Sequence, residues 1–469
     1  MTAADPADVI GSLDDAPLGR SHLRPVVVAG MGFFTDAYDL FVIGVVSTLV
    51  KQDWHLDSAR LAMLNATMLG AAFLGALIFG WLADRIGRKR VYWLVATIMV
   101  TAAVCSALAP TFWVLIAFRF LLGLGVGGNY PISAVLMTEY ANRQNRGRLV
   151  SLVFSTQALG LIVGPLIALT FLGAGTSTDI TWRILLAIGA VPAAAMVYLR
   201  HKLPESPRYE AHARARQQAR TRPQASDDVL RQEQRTDGLR ALLTSRRLLV
   251  MLAGTAGCWF LLDYAYYGNT ISTPQIIGLI SPHSSTMTTI AIQLAIFTVA
   301  ALPGYALAIA RIDRVGHRKL QLIGFAVMAV CFAVIGLVPG MTTAVAPFLV
   351  VYGISYFFTE FGPNVTTFVL PGEVFPVSVR ATGHGISAGI GKLGAFIGVF
   401  LFPVLQTALG LRGTLLLTAG VAVLGGLLTL VLPEPAGQRL EDVSAGLVVS
   451  SAGELALAKA DSEPAAAAG

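Results

Sequence analysis

The sequence predicts an all-α membrane protein of twelve transmembrane helices in two pseudo-symmetric six-helix halves. Three observations predict it. Only 13% of the 469 residues are charged and 55% are hydrophobic, where soluble domains carry about a quarter charged. The apolar residues gather in long runs, of the kind that needs about 20 residues to cross hydrocarbon. A loop motif also returns once: Gly80-Trp-Leu-Ala-Asp84-Arg85-Ile-Gly87-Arg88-Lys89 is echoed by Asp313-Arg314-Val-Gly316-His317-Arg318-Lys319. Each copy follows the second span of its half. Glu139 with Arg146, and Glu373 with Arg380, repeat one further spacing, so the chain reads as two related halves.

Taken in order, residues 1–25 form a polar N-terminal segment and the first half covers 26–200. Its spans fall at 26–50, 61–83, 91–109, 112–140, 149–173 and 181–200. Residues 201–246, rich in Arg, Gln and Ala, are expected to be a cytoplasmic linker of short amphipathic helices. The second half, 247–432, has spans at 247–272, 288–310, 319–339, 343–371, 379–408 and 411–432. The tail, 433–469, lacks apolar content and is expected to be disordered and cytoplasmic.

No cleavable signal is expected, because the first apolar run is long enough to span. Lys and Arg cluster in loops of one parity, at Arg85 to Arg90, Arg143 to Arg148 and Arg311 to Lys319. The positive-inside rule places those loops, and both termini, in the cytoplasm of a cell that carries the protein in its plasma membrane. The net charge of +7 therefore calls for no nucleic acid. Cys105, Cys258 and Cys331 all fall within spans, which suits packing better than disulfides.

An ionisable residue in mid-membrane costs roughly 2.5–3.5 kcal/mol, so each one calls for a functional hypothesis. Asp36 and Asp39 lie three apart on one face of the first span, where mutual repulsion favours a proton on one of them. Trp259, Asp263 and Tyr267 recur every four residues in the seventh span, and Lys392 sits deep in the eleventh. Tyr130 and Pro131, Gln157, and Pro363 with Asn364 complete an inward-facing polar set from both halves. A Trp, Tyr, Asn or Gln at such a place packs or bonds a neighbouring helix as readily as it binds a ligand. An unpaired Asp263 or Lys392 is much harder to explain by packing. Arg119, Glu139 and Glu373 suit gating and simple solvation equally well.

Two motif matches mislead. Gly123-Leu-Gly125-Val-Gly127-Gly128 fits a dinucleotide-binding pattern, and Gly385-Ile-Ser387-Ala-Gly389 fits a hydrolase elbow. Both lie within apolar spans and lack the strand that either chemistry needs, so close helix packing is the better reading. An enzyme is not expected, nor is a metal or other cofactor.

The Asp-Arg-x-Gly-Arg-Lys loop, its second copy and Pro204-Glu205-Ser206-Pro207-Arg208 resemble signatures of the major facilitator superfamily. Thr35-Asp36-Ala-Tyr-Asp39-Leu-Phe, Trp259 through Gly268, Phe361-Gly-Pro-Asn364 through Glu373, and His384 through Lys392 narrow the likeness. These stretches resemble the phosphate:proton symporters of that superfamily, and the likeness runs from about 26 to 432. It implies the major facilitator fold and a phosphate site of Tyr130, Gln157, Trp259, Asp263, Tyr267, Asn364 and Lys392, with Asn129 beside it. Asp36 and Asp39 would correspond to the proton-handling pair, joined by Asp263. One departure stands out, since Asn129 occupies the place before Tyr130-Pro131 where the family has Asp.

Dihydrogen phosphate presents a negative charge, acceptor oxygens and P–OH donors, so a selective site must offer donors and an acceptor together. Lys392 supplies charge, and Asp263 accepts from a P–OH group that sulfate lacks. Asp263 and Lys392 are also expected to neutralise one another across the two halves. Alternating access would use the basic loops as latches, with Asp84, Arg85, Arg88, Glu139, Arg148, Asp313, Arg314, Glu373 and Arg380 as gating residues and the arginines as partners of Asp84 and Asp313. The expected partners are phosphate, protons and the lipid bilayer, with the chain acting as a monomer. A carrier for an organic anion or a sugar, and a phosphate receptor that does not transport, are the rival readings.

Overall fold

A computed structural model describes residues 20–86, 88–141, 143–201, 242–376 and 379–438, together with 443. Most of the expected linker and tail lies outside the described residues. Within them the chain is helical throughout. The first half comprises α1 Arg20–Trp54, α2 Ser58–Ile86, α3 Arg88–Ala107, α4 Phe112–Tyr140, α5 Arg146–Ser155 continuing as Gln157–Gly173, and α6 Thr178–Ile188 continuing as Ala190–His201. The second comprises α7 Arg246–Ile280, α8 Thr286–Val315, α9 His317–Leu337, α10 Val345–Phe361 continuing as Pro363–Val374, α11 380–409 and α12 411–429.

Ten helices among the described residues are long and apolar enough to cross a bilayer. The count reaches twelve in two ways: the apolar part of α3, Trp93–Ala107, is shorter, and the helix 380–429 is two spans. Gly410, with φ 66° and ψ 174°, breaks it where only glycine sits without strain. The expected twelve-span division into sixes is thus the observed one, and the observed helices run past most of the expected ends.

Small residues set the closest seams. A side chain at Gly127 would meet the Ala72 carbonyl, and one at Gly75 the Leu124 carbonyl, so the glycine-rich run packs α4 onto α2 as its apolar setting implied. On the other side, Gly391 lies against the Trp259 ring, Gly394 against the Phe260 carbonyl and Gly398 against the Tyr264 carbonyl. That seam draws α11 onto α7 and brings Lys392 alongside Asp263. Ser387 is likewise a packing residue, bonded to Thr255 of α7 at 2.9 Å.

The first residues of the expected tail belong to the fold. Glu434 accepts the backbone N–H groups of His317 at 2.8 Å and Arg318 at 3.0 Å, satisfying the first turn of α9. Gly316, at φ 97°, gives the carboxylate room to approach.

Gly398→Ala places a Cβ 2.2 Å from the Tyr264 carbonyl oxygen, whereas Gly420 has nothing within 4 Å. Gly398→Ala is expected to destabilise by about 1–3 kcal/mol and Gly420→Ala to be neutral or stabilising, read as thermal unfolding midpoints of the purified protein. Equal midpoints would contradict the seam.

Candidate functional site

At mid-depth the Lys392 ammonium of α11 donates to Asp263 Oδ2 of α7 at 2.9 Å and to Tyr267 Oη, one turn along, at 3.0 Å. It also stands over two aromatic faces, 4.6 Å from the Tyr130 ring centre and 4.4 Å from that of Tyr267. Trp259, one turn earlier on α7, faces the Asp263 carboxylate. Every member of this cluster is at most 2% exposed. Asp263 and Lys392 both belong to the second half. The expectation that they pair across the two halves is therefore corrected: the pair is internal to one half, and Tyr130 of α4 is the first half's contribution.

Gln157 and Asn364, expected in the same set, stand in a neighbouring cluster. Both amides donate to Tyr305 Oη of α8, that of Asn364 at 2.7 Å. The Asn364 amide also donates to Glu360 Oε2. Local backbone irregularity accounts for this placement. The α5 helix breaks at Thr156, whose hydroxyl bonds the Gly30 carbonyl at 2.7 Å, and Gln157 follows at once. Gly362 and Pro363 interrupt α10 between Glu360 and Asn364, and a π-turn, Phe297–Ala301, precedes Tyr305 in α8.

Asp36 and Asp39 both face α4, as their spacing implied, but each meets a different group. The Asn129 amide donates to Asp36 Oδ2 at 2.8 Å. A donor thus stands where the resembled family has a carboxylate. Arg119 donates to the Asp39 main-chain carbonyl at 2.7 Å, and its charge faces the Asp39 carboxylate. Asp36 is near enough to the central cluster for its field to reach Tyr130 and Tyr267.

Aromatic side chains close the centre toward the basic-loop end. Phe33 of α1, Phe154 of α5 and Phe368 of α10 meet with ring centres 4.5–5.7 Å apart, next to Tyr130 and Trp259. Toward the other end, Phe41 stacks on Tyr267 at 5.1 Å. Beyond it, Gln52 of α1 bonds Thr286 of α8 at 2.8 Å. The cluster is occluded from both ends.

At the basic-loop end the halves meet through Asp313. Its Oδ2 accepts the Arg148 main-chain N–H at 2.9 Å, and Gly147 alone leaves room for Asp313 and His317. His317, rather than an arginine, lies between Asp313 at 3.6 Å and Glu373 at 3.1 Å. The expected arginine partners of Asp313 are corrected accordingly: Arg148 acts through its backbone, and Arg314 is exposed. Arg380 donates to the Phe375 carbonyl at 3.1 Å. The side chains of Asp84, Arg85, Arg88 and Glu139 lie outside the described residues.

Sequence reasoning missed Glu360, Tyr305 and the Phe33, Phe154 and Phe368 layer. Glu360 carried a readable signal, an acidic residue within the tenth span.

Removing one partner of a buried pair leaves the other charge uncompensated, at a cost of about 3–5 kcal/mol. Lys392→Met is expected to lower the thermal unfolding midpoint, and adding Asp263→Leu to restore most of it. A double variant as unstable as the two single losses combined would contradict this account of the pair.

Comparison with known proteins agrees with this architecture. The family described as "Sugar (and other) transporter" matches residues 26–447. The chain is 36% identical to inorganic phosphate transporter 1-6 of Oryza sativa subsp. japonica, over 93% of this chain and 95% of that protein. It is 36% identical to the low affinity inorganic phosphate transporter 4 of Petunia hybrida, over 94% and 95%. With inorganic phosphate transporter 1-4 of Arabidopsis thaliana it shares 34% over 94% and 96%. Among solved structures, the major facilitator proton:xylose symporter XylE bound to 6-bromo-6-deoxy-D-glucose superposes with a TM-score of 0.73 over 90% of this chain and 98% of that one. Its 19% identity makes it a likeness of fold alone. The chain belongs to the sugar (and other) transporter family, with the inorganic phosphate transporters, and has the major facilitator fold.

Proposed function

We propose that the chain is a secondary active transporter that imports inorganic phosphate together with protons by alternating access. The observation that carries this reading is the buried Lys392–Asp263 pair with Tyr267 and Tyr130 around it. A monoanion satisfies Lys392 in place of Asp263. A P–OH group then gives the displaced Asp263 carboxylate a proton donor, and the exchange keeps both charges compensated. A neutral sugar offers Lys392 no charge, and sulfate offers Asp263 no hydrogen, so the pair favours phosphate over either. Tyr267, Tyr130 and Trp259 supply further donors, and Gln157 and Asn364 turn from Tyr305 to complete the shell.

Asp36 and Asp39 are the proton-handling carboxylates of the first half, and Asn129 donates to Asp36 without titrating. The Asp313, Arg148, His317 and Glu373 contact is the latch at the basic-loop end, which the positive-inside rule assigns to the cytoplasm with both termini. The cell membrane is the location, and a monomer suffices because one chain supplies the whole site.

Uptake of labelled phosphate into proteoliposomes under an imposed pH gradient tests the reading. Acid outside is expected to drive accumulation, a protonophore to abolish it, and excess xylose to leave it unchanged. Asp263→Asn removes a charge-assisted acceptor worth about 1.5–3 kcal/mol. It is expected to cut phosphate uptake roughly ten- to hundredfold and to narrow the preference over sulfate. Uptake indifferent to pH, or an Asp263→Asn variant with unchanged selectivity, would contradict the proposal.

A further inference from the structure

Glu360 has no part in the reading above, yet it is buried as deeply as Asp263 and Glu373, the other buried carboxyls of the second half among the described residues; it is 0% exposed and one turn before Asn364. Among the described residues no Lys, Arg or His pairs with it. The groups that face it are neutral: Tyr266 and Tyr267 from α7, Tyr305 from α8, and Tyr356 and Asn364 from α10 itself. Gln157 of α5 reaches it through Tyr305. From α9, the stretch between Leu320 and Leu337 adds Cys331 as its one titratable side chain. Tyr267, which faces Glu360, also interacts with Asp36 and Asp263 and accepts from Lys392, so it stands between Glu360 and the central charges.

The hydrogen bonds around Glu360 lead to the substrate. Tyr305 Oη already accepts from Gln157 and Asn364, which leaves its own O–H free to face Glu360, whose Oε1 has no hydrogen-bond partner among the described residues. Asn364 donates to Glu360 Oε2 as well. An ionised Glu360 therefore depends on the Asn364 amide for the donor that replaces water. When Asn364 turns to a bound anion, that carboxylate loses a donor and gains a negative neighbour. Both changes favour a proton on Glu360.

We propose that Glu360 is a substrate-linked proton carrier: it takes a proton when Asn364 engages the anion and gives it up when Asn364 returns. The proton enters from the side that supplies the substrate, forms an O–H bond on a carboxylate oxygen of Glu360, and is lost from that bond on the side that receives the substrate, with no other bond made or broken. By linkage, protonation of Glu360 tightens substrate binding as much as substrate tightens the proton. The inference rests on the phosphate reading, because it gives Asn364 to the substrate.

Proteoliposomes with the membrane potential clamped provide the test, by two assays: exchange of labelled for unlabelled phosphate without a pH gradient, and accumulation under one. Glu360→Gln imitates the protonated form. It is expected to keep exchange, to lose one proton from the proton:phosphate ratio, and so to accumulate about tenfold less per pH unit of gradient. The dependence of phosphate affinity on pH should flatten with it. Glu360→Asp keeps a titrating group and should keep the ratio. A Glu360→Gln protein with the wild-type ratio and pH profile overturns the proposal, as does equal loss in Gln and Asp variants, which marks a packing role. Should Glu360→Gln fail to fold, Glu360→Asp decides alone: a displaced pH profile supports the carrier and an unmoved one overturns it. Absence of phosphate exchange in the wild-type protein is a different result, and it strikes the phosphate reading itself.

Discussion

An ammonium and a carboxylate held 2.9 Å apart, both shut away from water, cannot be separated without replacing each partner. That constraint organises the rest of the molecule. It requires α7 and α11 to approach closely, which Gly391, Gly394 and Gly398 permit. It surrounds Lys392 with the faces of Tyr130 and Tyr267, so that a residue of the first half touches the buried charge of the second. On the proposed function, a ligand there takes the place of one member of the pair, and such a site selects by charge and by hydrogen together.

The moving parts are equally physical. A bilayer leaves no water to satisfy free backbone groups, so irregular helix is confined to places where protein or a polar lumen takes over. Here the breaks at Thr156, at the π-turn Phe297–Ala301 and at Gly362 surround the second polar cluster. They turn Gln157, Tyr305, Glu360 and Asn364 toward one another. The aromatic layer of Phe33, Phe154 and Phe368 sits between that interior and the basic-loop end, with Asp313 and His317 beyond it. Rocking one half on the other must part the aromatic layer and the outer contact together.

Much of this was legible in the sequence because membrane burial makes charge conspicuous. Asp36, Asp39, Asp263 and Lys392 announced themselves by cost, and the two loop motifs located the halves. Glu360 obeys the same rule, within an aromatic stretch of Phe357, Phe358 and Phe361 just before Gly362-Pro363-Asn364. Tyr305 and the phenylalanine layer were not legible, since nothing in an apolar or phenolic side chain says which helix it will face. That Asp263 and Lys392 share one half follows from the span division itself, since the seventh and eleventh spans both lie within 247–432; the expected pairing across the halves ran against it. At the basic-loop end the clustered arginines suggest arginine partners for Asp313, while His317 and the Arg148 backbone make the contact.

The central claim is that Lys392 exchanges Asp263 for the anion. Equilibrium binding of labelled phosphate to the purified protein, wild type beside Lys392→Met, measures it most directly. The account predicts saturable binding by the wild-type protein that unlabelled phosphate displaces far better than sulfate, and no measurable binding by the variant. Wild-type affinity retained in a folded Lys392→Met protein would contradict it.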